Sequence, residues 1–163
     1  MNIASPVAPS PVPFPLPKVS TSLGDVLAHG SLAILAYAIL GVLLLIAGFY
    51  VIDLATPGRL STVIRSDRNV NATLLAASSL SAVGLIVAAS IWSSGGALRE
   101  GLIATLVFGL VGIVAQALGM IAFDRIAGIS VRELTKEASL QPATVLLSVT
   151  HFVIGLVTAV AVI

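Results

Sequence analysis

The chain has 163 residues, of which 58% are hydrophobic and 9% charged, with a formal net charge of +1 and a mean hydropathy of +1.12. That balance lies far outside the range of water-soluble domains and makes the chain an integral membrane protein. The absence of cysteine excludes disulfides, thiolate metal sites, haem-c attachment and cysteine nucleophiles, and the weak charge with no basic block excludes nucleic acid as a partner.

In chain order, residues 1–22 come first as an arm carrying Pro6, Pro9, Pro11, Pro13, Pro15 and Pro17. Alternating prolines favour an extended polyproline conformation, and with neither a basic leader nor an apolar run the arm does not read as a secretory signal. It is expected to lie outside the cytoplasm, along the outer surface of a partner. Residues 23–163 form the membrane domain. Its uncharged apolar runs are 32–52, 72–92, 102–123 and 143–163, each near the roughly 20 residues a helix needs to cross a ~30 Å hydrocarbon core. The predicted fold is therefore all-α, a polytopic membrane protein with four transmembrane helices.

Between the first and second runs, Leu60, Val63 and Ile64 follow helical spacing among Arg59, Arg65, Asp67 and Arg68. Between the third and fourth, Val131 and Leu134 do the same among Arg132, Glu133, Lys136 and Glu137. Both segments read as short amphipathic helices at the membrane surface, either anchoring to lipid headgroups or offering a docking face. Ser130 with Glu133 has the spacing of a capping box, Thr56-Pro57-Gly58 breaks the first run, and Pro142 suits the first turn of the fourth. Asn71-Ala72-Thr73 fits a glycosylation motif, but its place at a helix start favours a capping role. Arg59, Arg65, Arg68, Arg125, Arg132 and Lys136 lie in the two long loops, against Lys18 and Arg99 elsewhere. The positive-inside rule then puts both loops in the cytoplasm and both termini outside the cytoplasmic membrane, the bacterial inner membrane.

Residues 31–92 align without gaps on 102–163 at an offset of 71, with identities that include Gly41/Gly112, Gly48/Gly119, Gly84/Gly155 and Asp53/Asp124. The spans are thus expected as two parallel two-helix repeats related by an axis along the membrane normal. The six glycines are candidate seams for close helix packing, and Asp53 and Asp124 are helix-end acids expected to accept hydrogen bonds from the following loop or to pair with Arg59 and Arg125. Within the spans, Ser79, Gln116 and His151 fall at matching depths and form a candidate polar layer, serving either as interhelical glue or as a proton or substrate site. Gln116 and His151 align with Leu45 and Leu80, so the layer departs from the repeat. A lone histidine is a poor metal site, and no cofactor fingerprint or catalytic constellation is present.

With Asp53, Pro57 and the run Asn71-Ala72-Thr73 leading to Gly84, the chain resembles the small bacterial membrane family called domain of unknown function 350. The resemblance covers residues 31–163 and implies two fused two-helix repeats, each starting its second helix with Asn; here Pro142 stands in that place in the second copy. It implies no chemistry. The expectation is a non-catalytic membrane subunit of a larger assembly, such as a bacterial respiratory complex, acting in packing or stabilisation. It has no catalytic residues, cofactor or metal, and its partners are lipids and other membrane subunits or copies of itself. The competing expectation is a small homo-oligomeric channel or transporter whose polar layer lines a path.

Overall fold

The computed structural model describes residues 22–55 and 59–163, apart from the side chains of Ala55 and Asp124. The proline-rich arm, up to residue 21, and the Thr56-Pro57-Gly58 break lie outside the described residues. Six helices follow in order: α1 (Leu23–Ala55), α2 (Leu60–Arg65), α3 (Val70–Ser93), α4 (Leu98–Ile126), α5 (Val131–Leu134) and α6 (Pro142–Val162). Helices α1, α3, α4 and α6 are each long and apolar enough to cross a membrane. The protein is an all-α, four-span membrane protein.

Two helices start well before the uncharged runs. Helix α1 begins at Leu23 because Ser22 caps it: its Oγ accepts from the Asp25 amide at 3.1 Å and donates to Asp25 Oδ2 at 2.9 Å. Helix α4 takes in Arg99 and Glu100. Charge marks where hydrocarbon ends, whereas hydrogen bonding decides where a helix ends. The α3–α4 connection is a tight turn at 94–97 in which Gly95 and Gly96 have φ of 62° and 86°, a conformation open to glycine at little cost. Tyr37 Oη donates to Ser94 Oγ at 3.2 Å, tying α1 to that turn. Beyond this tie α1 continues: residues 22–32 are all exposed, an overhang of about 15 Å at 1.5 Å per residue.

Helix α3 is the hub. Half of its most apolar stretch is buried, against 11% for α1, and it packs on α6, α4 and α1 in decreasing order of extent. Helix α4 also touches α1 and α6, so α1 and α6 occupy opposite corners. The closest approach to a neighbouring backbone is Gly155 of α6 on Ala82 of α3, where a Cβ on the glycine would stand 2.6 Å from the Ala82 Cα and closer still to its Cβ. A Cβ at Gly112 would meet the Ile86 side chain, at Gly119 the Ile154 Cδ1 at 2.8 Å, at Gly48 the Val83 Cγ2 at 3.4 Å and at Gly41 the Val87 Cγ1 at 3.7 Å. Gly84 departs from the expectation of a packing glycine, since a Cβ there meets nothing within 4 Å. Gly101, facing Tyr37 and Ser94, and Gly109, facing Leu44, make close contacts that the repeat comparison misses, because Gly101 and its aligned Gly30 lie one residue outside the repeats and Gly109 aligns with Ala38.

The apolar faces of the short helices pack on the bundle, not outward as a lipid-anchoring role expects. Leu60 is buried with Ile52, Ala72 and Ala76, and Val63 and Ile64 pack against the same cluster. Val131 is buried with Leu75 and Leu147, with Leu134 alongside. Both apolar faces turn inward and close one end of the bundle, here termed the loop end; the 94–97 turn marks the opposite, hairpin end. Ser130 precedes α5 as expected but makes no side-chain cap bond. The reason is that Glu133 is taken by Lys136 Nζ at 2.8 Å and the first turn closes through Glu133 N to Ser130 O at 3.1 Å.

Substitution at the two aligned glycines separates close contact from mere helix membership. Gly155→Ala is expected to cost about 1–3 kcal/mol through overpacking, while Gly84→Ala is expected to be neutral or stabilising by up to ~1 kcal/mol; thermal unfolding in detergent measures both, and equal effects would remove the seam from the explanation.

Candidate functional site

Ser79 from α3, Gln116 from α4 and His151 from α6 are 6%, 6% and 4% exposed, and all three line one internal cavity of about 20 Å³ together with Gly48, Ile113 and Met120. A second cavity of about 10 Å³ toward the loop end also has Ser79, Met120 and His151 in its wall and reaches Thr135. The three sequence candidates are thus brought together, but their bonding is not side chain to side chain. Gln116 Nε2 donates to the backbone O of His151 at 3.0 Å, and His151 Nδ1 pairs with Leu147 O at 3.0 Å on its own helix. A carbonyl only accepts, so Nδ1 carries the proton. Gln116 Oε1 is buried without a hydrogen-bond partner among the described residues, and the adjoining space has room for about one water.

Helix-end acid Asp53 has the first of its two expected roles. Its Oδ1 accepts from the Leu60 amide at 2.5 Å, the backbone donor at the start of α2, so the carboxylate fixes the short helix to the end of α1. The expected pairing with Arg59 is not made: among the described residues the one ion pair is Lys136–Glu133. Asp124 falls in the last turn of α4, and its side chain lies outside the described residues.

The most fully bonded polar group at the loop end is one for which the sequence offered only a capping role. Asn69, not Asn71, is the N-cap of α3, its Oδ1 accepting from Ala72 N at 2.8 Å, while its Nδ2 donates to Thr135 O and Glu137 O, each at 2.9 Å. Asn71, fully buried, donates from Nδ2 to Glu137 O at 3.0 Å and Ser139 O at 2.8 Å and accepts from Gln141 N at 2.9 Å. The two amides thus read the backbone of the α5–α6 connection and clamp it onto α3. The cue available in the sequence was the Asn69-Val70-Asn71 spacing, which places two amides within one turn of a helix start.

The family described as Domain of Unknown Function (DUF350) matches residues 25–162. The chain belongs to the DUF350 family. A UPF0719 transmembrane protein of Mycolicibacterium paratuberculosis is 31% identical over 133 residues, 82% of this chain and 88% of that protein. A UPF0719 transmembrane protein of Mycobacterium bovis is 38% identical over 81 residues, 50% of this chain and 53% of its own length. No solved structure matches. The DUF350 match spans all four membrane helices and both amide clamp residues.

The clamp makes a graded prediction. Asn71→Ala is expected to lower stability by about 1–3 kcal/mol, because the Gln141 amide loses its acceptor and the Glu137 and Ser139 carbonyls each lose a donor in a part-buried place. Asn71→Asp should cost at least as much, since a carboxylate keeps the acceptor for Gln141 but faces the Glu137 and Ser139 carbonyls without a donor. Hydrogen exchange of residues 131–141 locates the loss, and unchanged protection in both variants would contradict the clamp.

Proposed function

We propose that this DUF350 chain is a non-catalytic membrane subunit that packs against other polypeptides of a larger assembly, such as a bacterial respiratory complex. The observation that carries the reading is the overhang of α1. There Leu23, Val26 and Leu27 are 76%, 54% and 60% exposed at i, i+3, i+4 spacing, one apolar stripe with no cover from the other described residues. The interior supports packing over conduction, because cavities of about 20 and 10 Å³ hold about one water each at most. The proline-rich arm continues directly into this stripe in sequence, and an extended arm loses little conformational freedom on docking.

Mild detergent extraction followed by identification of co-purifying chains tests the proposal. Unrelated polypeptides are expected with the native chain, and Val26→Glu with Leu27→Glu should release them while the melting temperature of the four-helix domain stays unchanged. A ring containing only this chain would instead favour the homo-oligomeric channel or transporter.

Sidedness follows from charge. With six of the eight Lys and Arg in the two long loops, the loop end belongs in the cytoplasm and both termini outside, in the cytoplasmic membrane. A cysteine at Ala97, exposed in the hairpin turn, is expected to react with an impermeant thiol reagent on intact cells, and one at Ser66 only after lysis; the reverse pattern would invert the topology. We also read residues 31–92 and 102–163 as copies of one unit. In support, each half runs long helix, short amphipathic helix, long helix; the clamp departs from it, since Asn69 and Asn71 align with Leu140 and Pro142.

A further inference from the structure

At the loop end, on the side away from the polar layer, α1, α2 and α3 enclose an open groove of about 830 Å³, within the ~300–1,000 Å³ typical of small-molecule sites. Its long wall is one stripe of α1, Val42, Leu45, Ile46 and Phe49, with Leu80 of α3 opposite. At the end of that stripe the lining turns polar, with Asp53, Arg59 and Ser61. From Val42 to Asp53 the stripe covers about 16 Å of helix. The groove therefore changes from purely apolar to charged along the axis of a spanning helix, the gradient a phospholipid presents from acyl chain to headgroup.

The charges add a more specific requirement. Among the described residues Arg59, which is exposed, makes no ion pair, and Asp53 lines the same groove with one carboxylate oxygen engaged by the Leu60 amide. A carboxylate has lone pairs beyond that one bond. Two unlike charges thus stand at the polar mouth without neutralising each other. A headgroup carrying both a phosphate and a primary ammonium matches them, the phosphate on the Arg59 guanidinium and Ser61 hydroxyl and the ammonium donating to Asp53. A purely anionic headgroup would set its phosphate beside the Asp53 carboxylate, and a quaternary ammonium has no N–H to donate.

We propose that this groove is a binding site for one phosphoethanolamine phospholipid, its acyl chain along Val42–Phe49 and its headgroup between Arg59 and Asp53.

The full chain is reconstituted in nanodiscs of equimolar phosphatidylethanolamine, phosphatidylcholine and phosphatidylglycerol with identical acyl chains. It is then extracted in mild detergent, and the retained lipid is quantified by mass spectrometry. Phosphatidylethanolamine is expected to be enriched about fivefold over each of the others, the size of one exposed ion pair. Asp53→Asn, whose amide oxygen still accepts from Leu60 N, should abolish the preference for ethanolamine over choline. Arg59→Gln should lower retention of all three lipids, as should Ile46→Trp by filling the apolar wall, and Arg132→Gln on α5 should change nothing. Equal retention of the three lipids by the native chain, a preference for phosphatidylglycerol, or an Asp53→Asn variant that melts normally and keeps its ethanolamine preference would each overturn the proposal. So would a dimer of this chain that retains no phospholipid, which would place a second copy in the groove.

Discussion

Helix α3 is the centre of this bundle because α6 lies against it with only the Ala82 Cβ between the two backbones at Gly155. In a bilayer the lipid tails are as apolar as leucine, so hiding apolar area gives helices little reason to associate, and contact must be won by close approach. The face α3 offers is suited to that, with Ala72, Ala76, Ser79, Ala82, Ala89 and Ser90 all buried. Where α4 comes up, Gly112 leaves room for Ile86, itself fully buried, and the larger side chain fills what the glycine vacates. The polar layer lies among the same three helices, and its one interhelical bond among the described residues, from Gln116 of α4 to the His151 carbonyl of α6, adds about 0.6 kcal/mol and at most ~1.7. The glycine contacts hold α4 and α6 to α3, and the polar bond holds them to each other.

The same helix organises the loop end. Helix ends leave backbone donors and acceptors without intrahelical partners, a severe cost wherever water is scarce. Asp53 meets this need at the start of α2, and Asn69 and Asn71 meet it for the connection into α6. With those groups bonded, the apolar sides of α2 and α5 can turn inward, so the bundle is closed by its own connections and the small cavities around His151 stay separate from the surface groove beside α1.

Much of this was legible in the sequence, for identifiable reasons. Four spans follow from apolar run lengths, because the hydrocarbon thickness sets them. Pro142 marks the start of α6 and Ser130 the start of α5, because helix starts have local chemistry. The depths of Ser79, Gln116 and His151 follow from the rise per residue, and the three do share a cavity. What stayed hidden depends on azimuth and on partners distant in the chain. Gly84 and Gly155 look alike in an alignment, yet only Gly155 faces a neighbouring backbone. The targets of Asn71 are main-chain carbonyls 66 and 68 residues away, and a carbonyl leaves no mark in the sequence. The extension of α1 to Leu23 was obscured by Asp25 and His29, which end an uncharged run without ending a helix.

The fastening made by Asn69 and Asn71 has a property that a salt bridge in its place would lack. Each of its bonds joins a neutral amide to the main chain, so no member gains or loses a proton over the physiological range, and none draws a counterion. Acidification of either compartment or a change in ionic strength therefore leaves it intact, whereas the exposed Lys136–Glu133 pair on the same connection weakens as salt rises and as the carboxylate is protonated. The segment is held by bonds indifferent to the surrounding electrolyte and carries on its outer surface the charges that respond to it.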